Sequence, residues 1–167
     1  MADTKVATSE ADLYERDFFE WTREQAAALR SVAAGGNARP DYEHLIEEVE
    51  ALGIALRHEL GGRISTIIAH LAKLQYSPAD LPRAGWRATV RRERLEIERL
   101  LEQSPRLRKW IPDAIIKEAR RTIPGVIEDL RDRGELTETT ETLLRLLPDR
   151  YDQGKVLGDE WFPEPPV

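Results

Sequence analysis

Cysteine is absent from this 167-residue chain. That removes disulfide frameworks, thiolate zinc sites, iron–sulfur clusters and cysteine nucleophiles together. Long apolar runs are missing too. None approaches the ~18 residues needed to span a bilayer, so no membrane association is expected. Met1 to Leu13 lacks a positive stretch followed by an apolar one, so no secretory signal is visible and a cytoplasmic location is the expectation. Excess positive charge is also lacking. A net charge of −6 argues against non-specific binding to nucleic acid or to anionic lipid. What is present, 41% hydrophobic and 34% charged residues, describes a helical globular protein rather than a disordered one. The length fits one domain, expected over 14–163, between a disordered tail at 1–13 and a short tail at 164–167.

Hydrophobic periodicity predicts an all-α fold: an antiparallel helical bundle of four to five helices with one long central helix over about 41–76. A first helix is expected from near Tyr14 or Asp17 to Ala34, with Phe18, Trp21, Gln25, Ala28 and Leu29 near its inner face. Gly35, Gly36 and Asn37 end it, and Asp41 is placed to cap the next. In that second helix Leu45, Val49, Leu52, Leu56, Leu60, Ile64, Ile67, Leu71 and Leu74 recur about every 3.63 residues, the period of the α-helix itself. The stripe passes in phase through Gly61-Gly62, which predicts one helix, with a kink at the glycines allowed. At 1.5 Å per residue it spans about 54 Å, against about 40 Å for a compact domain. The helix is therefore expected to bend, or the molecule to be elongated and open to dimerisation.

Ser77 to Pro82 reads as a turn. A third helix over about 84–103 carries the stripe Trp86, Val90, Ile97 and Leu101. A fourth runs from about Pro112 to Arg133, kinked or split at Pro124. A short helix occupies Glu135 to Leu147. The Pro-rich and aromatic end, Tyr151 to Val167, is expected to dock Trp161 and Phe162 irregularly on the bundle. Charge alternates along the chain: the balance is −6 over 1–80, +5 over 81–133 and −5 over 134–167.

Several runs are similar to a bacterial family known as domain of unknown function 29. They are Tyr14 through Gln25 (YERDFFEWTREQ), Leu45 through Gly53 (LIEEVEALG), His70 through Tyr76 (HLAKLQY) and Trp86 through Val90 (WRATV). The closing Tyr151 to Pro163 also resembles that family's tail, so the likeness spans nearly the whole chain. Three features depart from it: Glu93 where glutamine is expected, the Gly61-Gly62 pair, and the 134–147 segment. The resemblance implies an all-helical fold and no established activity.

Candidate chemistry gathers on the second helix, which carries every histidine: His44, His58 and His70. They are 14 and 12 residues apart, about 21 and 18 Å along one helix, so they cannot share a metal. Asp41, His44, Glu47 and Glu48 have the spacing of half a metal site, but no second Glu-x-x-His helix completes it. They are weak metal candidates beside the simpler reading of a solvated face. His70 lies on the flank of the apolar stripe, and Arg63 shares that flank. An antiparallel hairpin about residue 80 would bring both opposite residues 90–97, where the third helix's stripe is broken and Glu93 or Arg94 must point inward. Arg63, His70, Glu93 and Arg94 are therefore the candidate catalytic cluster. The simpler reading of the four is a buried polar network that fixes helix register, since half-buried charges must be paired. The Arg63-Ile64 and His70 arrangement also resembles that of HEPN-type helical ribonucleases, where the resemblance implies that a histidine and an arginine assist RNA cleavage. Trp21 and Trp86 are read as core anchors. Arg83, Arg87, Arg91 and Arg94 are read either as a phosphate-tracking face or as partners of Glu93, Glu96, Glu98 and Glu102.

The leading expectation is a protein–protein interaction or assembly module without catalytic activity, self-associating as a homodimer and using no cofactor. The alternatives are an RNA-cleaving or phosphate-binding protein using Arg63 and His70, and a metal-carboxylate protein.

Overall fold

The longest helix is the one that the apolar period predicts. In the computed structural model, which describes residues 13–35 and 42–164, it runs unbroken over Tyr42–Tyr76 and is here called α2. The others are α1 (Phe18–Gly35), α3 (Arg83–Gln103), α4 (Ile111–Asp132), α5 (Glu138–Arg145) and α6 (Gln153–Leu157). Short 3-10 turns stand at Pro105–Trp110 and Leu147–Asp149. The protein is all-α, a helical bundle with a long central helix, and no strand occurs among the described residues. None of its helices is long and apolar enough to cross a membrane, again among the described residues. Asp41 and all but Leu13 of the 1–13 tail lie outside them; Leu13 opens a helical turn over 13–16. Packing groups the chain into two compact units, one from 1–59 with 99–109, the other from 60–98 with 110–167.

In the first unit, Asp17 starts α1. Its Oδ1 accepts the Glu20 backbone N–H at 3.0 Å, satisfying a donor that the first helical turn leaves without a partner. Its Oδ2 accepts the Arg106 N–H at 2.8 Å. Glu20 forms ion pairs with Arg106 at 3.1 Å and Lys109 at 3.9 Å. The buried face of α1 is Phe19, Thr22 and Ala26, one position on from the face predicted by periodicity. Phe18 and Trp21 lie half-buried on the flank instead. There they form an aromatic trio with Tyr14: Tyr14 meets Trp21 edge-on with centroids 4.9 Å apart, and Phe18 stacks on Trp21 at 5.7 Å. Trp21 is therefore no core anchor. What lets α1 approach α2 closely is Gly53, where a Cβ would sit 2.8 Å from Thr22 Oγ1.

In the second unit, Leu60, Ile64, Ile67, Leu71 and Leu74 of α2 are buried, as are Trp86, Val90 and Ile97 of α3. Each such side chain contributes roughly 1.5–3 kcal/mol through removal from water. The Gly61 that interrupts this apolar run has a packing reason. Glu118 of α4 lies over it, with Oε1 3.2 Å from where a Cβ would stand, and one turn on Ser65 bonds Thr122 at 2.6 Å. Gly62 meets nothing, and no contact explains it.

The turn after α2 is held from two sides. Ser77 donates its backbone N–H to Lys73 and its hydroxyl to Glu135 at 2.5 Å. Arg83 donates to the Leu74 carbonyl at 2.5 Å and the Ser77 carbonyl at 3.1 Å. Pro124 does not split α4. Its missing N–H leaves the Arg120 carbonyl without a helical partner, and Arg120, Pro124 and Gly125 are all exposed, so water can take its place. The short helix begins three residues later than expected because Thr137 caps it, accepting the Thr140 N–H at 3.1 Å. Asp152 caps α6 in the same way through Lys155 at 2.9 Å.

Candidate functional site

Consecutive residues on a helix point about 100° apart, and that rotation divides the predicted cluster. Glu93 and Arg94 are both buried, at 9% and 5% exposure, so both interrupt the α3 stripe. Glu93 turns to α2. Its Oε2 accepts from Arg63 Nη1 at 3.0 Å and its Oε1 from Arg92 at 2.9 Å. Arg63 also reaches Glu96 at 3.7 Å. The Arg63–Glu93 half of the cluster is thus brought together, as the antiparallel hairpin requires.

Arg94 turns the other way, to the tail. Its Nε donates to the Val156 carbonyl at 2.9 Å. Its two terminal nitrogens donate to the carbonyls of Lys155 at 2.9 Å, Trp161 at 3.0 Å and Asp159 at 3.4 Å. A guanidinium in a fixed fork suits several carbonyls at once, where an ammonium would not. Arg94 therefore anchors the docked C-terminal tail and takes no part in a cluster with His70.

His70 is half-buried, and its Nδ1 is buried without a hydrogen-bond partner. Burial holds its pKa below the ordinary value, and the charges of Lys73 and Arg92 push it further down against an opposing pull from Glu93. Lys73 on the next turn is engaged with Asp129 of α4 at 2.7 Å, a bond that draws the Asp129 carboxyl below the usual carboxylate range. The result is a neutral imidazole among paired charges. A histidine acting as general base needs a carboxylate or carbonyl to orient its second nitrogen. Glu93, the carboxylate whose charge acts on His70, already has an arginine on each oxygen.

The weak metal candidates His44, Glu47 and Glu48 lie on the exposed face of α2. Among the described residues no group of three or more histidines and carboxylates is arranged to hold a metal ion. The Arg-rich face of α3 is resolved into separate tasks. Arg83 closes α2, Arg94 binds the tail, and Arg87 and Arg91 lie with Arg94 around the Phe162 ring, at 4.8, 5.2 and 5.1 Å from its centroid. This arginine–aromatic socket was not foreseen, although an arginine at every turn of α3 together with the aromatic tail was its visible trace.

The sequence of the chain matches domain of unknown function DUF29 over residues 13–147. The chain belongs to this family. The crystal structure of an alpha-helical protein of unknown function from Rhodospirillum rubrum ATCC 11170 is similar to this DUF29 chain, with a TM-score of 0.62 and 25% sequence identity. That likeness covers 75% of this chain and 80% of the other. No curated protein matches the chain. The family-matched region contains Arg63, His70, Glu93 and Arg94, whereas Phe162 lies beyond it.

Proposed function

We propose that this DUF29 protein is a non-catalytic interaction module of the bacterial cytoplasm that self-associates through the first half of α2. The observation that carries the reading is a change in burial along one stripe. From Leu60 onward the stripe is buried, but Leu45 and Leu52 are 46% and 47% exposed. These two leucines are seven residues apart, so they point the same way about 10.5 Å apart along the helix. Both are already half-buried, so covering the rest against a partner contributes roughly 1 kcal/mol per side chain.

Charge favours a second copy as that partner, in antiparallel orientation. Glu43, Glu47 and Glu48 crowd the N-terminal end of the segment, while at its other end Arg57 and Glu59 balance. A two-fold axis near residue 51 sets each acidic end beside the balanced one, whereas a parallel pair would set glutamate against glutamate. The half-exposed Tyr14, Phe18 and Trp21 of the same unit add the aromatic side chains that dominate interface energetics. Against an enzyme stands the saturation of Arg63 and Glu93 by ion pairs and the lack of a hydrogen-bond partner at the buried His70 Nδ1.

Light scattering after size exclusion tests the proposal. The wild-type protein is expected to be a dimer at about 100 µM, and Leu52→Asp a folded monomer. A wild-type protein that stays monomeric there overturns self-association, and RNA cleavage that is lost in His70→Ala would replace the reading with the catalytic one.

A further inference from the structure

We propose that Arg87 and Arg91, backed by the fixed charge of Arg94 and floored by Phe162, form a binding site for a doubly charged phosphate group. The site is independent of the self-association surface.

Three guanidinium groups converge on one neutral ring. Each lies within 5.2 Å of the Phe162 centroid, so no two are more than about 10 Å apart. Like charges held this close repel, and the faces of one ring offset only a part of that. The usual remedy is a carboxylate, and the neighbouring arginine has one: Arg92 pairs with Glu93. Among the described residues Arg87 and Arg91 show no carboxylate at ion-pair distance, their partner being the ring. The charge of Asp159 is felt at Arg94.

The three arginines divide the work. Arg94 is buried and directs its N–H groups to four tail carbonyls, so it contributes charge and little donor capacity. Arg87 is half-buried and Arg91 exposed, which leaves their forks reachable from solvent. They are four residues apart, one turn of α3, and the ring holds both in place before any ligand arrives. Two forks plus a background cation exceed what one carboxylate can accept. A phosphate carrying two charges and three terminal oxygens matches them, as arginine clusters match phosphate elsewhere. Inorganic phosphates and phosphate monoesters share that chemistry; a diester, with one charge and two free oxygens, does not.

Calorimetric titration of the full-length protein with inorganic pyrophosphate, phenyl phosphate and dimethyl phosphate reads the proposal. Saturable binding of the first two is expected, weakened by added salt, with dimethyl phosphate showing none. Arg87→Gln/Arg91→Gln should weaken pyrophosphate at least tenfold, and Arg92→Gln should leave it unchanged. Phe162→Leu should weaken it less than the double variant. Binding of pyrophosphate alone would assign the site to inorganic phosphates, and binding of phenyl phosphate as well would extend it to monoesters. Absence of saturable binding of both pyrophosphate and phenyl phosphate, or binding that the double variant retains, overturns the site. Circular dichroism melts confirm that the exposed-side variants remain folded.

Discussion

Arg63 Nη1 donates to Glu93 Oε2 across 3.0 Å, joining α2 to α3 between residues thirty apart in sequence. The two side chains are only 25% and 11% exposed, so their charges are partly withdrawn from water and each depends on the other. Removing one partner strands the second, whereas replacing both by apolar residues of similar size removes the desolvation cost as well. Arg63→Ala and Glu93→Ala are each expected to lower stability by about 1–3 kcal/mol. Arg63→Met/Glu93→Leu should recover most of that loss. Urea melts of the four proteins check it; a double variant as unstable as the sum of the singles would show that the two side chains contribute independently and not as a pair.

His70 makes stability depend on pH. Its folded pKa is held below its ordinary value of 6.5, so below that pH the unfolded chain binds a proton that the folded chain resists. Stability is full above pH 6.5 and falls as pH drops toward the lowered folded value. His70→Leu should flatten that decline in urea melts taken between pH 7.5 and 5.5. A decline of equal slope in the variant would place the acid sensitivity elsewhere.

Gly61 and Gly62 look identical in sequence and should respond oppositely. Gly62→Ala meets open space and gains helix propensity, so about 0.5–1 kcal/mol of added stability is expected. Gly61→Ala brings a methyl against the Glu118 carboxylate at 3.2 Å, which should cancel that gain or reverse it. Thermal melts of the two variants side by side are sufficient.

Arg94→Ala leaves four tail carbonyls without their donor and should release the segment from Asp152 to Pro163. A loss of about 2–4 kcal/mol is expected, with faster proteolysis confined to that segment. Arg94→Lys should rescue little, since one ammonium cannot span carbonyls set around a planar fork.

The regular part of this fold is legible from periodicity. The α2 stripe keeps phase through two glycines, and the helix duly continues. Hydrophobicity places the inner face of α1 one residue early because it favours the bulky Phe18 and Trp21. Packing buries Phe19, Thr22 and Ala26 instead, and the first two of these meet Gly53 where α1 comes close to α2. Arg94 was grouped with Arg63 and His70 because a polar break in a stripe shows that something turns inward, not toward what. Its partners are backbone carbonyls of residues 155–161, which carry no side-chain signature. Arg63–Glu93 was readable because both ends of that contact are side chains of opposite charge on a predictable hairpin.

The two oxygens of Asp17 set a schedule for synthesis. One is satisfied by Glu20 as soon as α1 forms, but the other waits for the N–H of Arg106, 89 residues later in the chain. At roughly 5–20 residues per second, a ribosome delivers that partner about 4–18 seconds after Asp17 itself. Until then the first unit lacks its final segment, 99–109. A nascent chain paused before residue 99 therefore presents an N-terminal unit whose Asp17 and Glu20 still lack Arg106 and Lys109, the state in which chaperones would meet it.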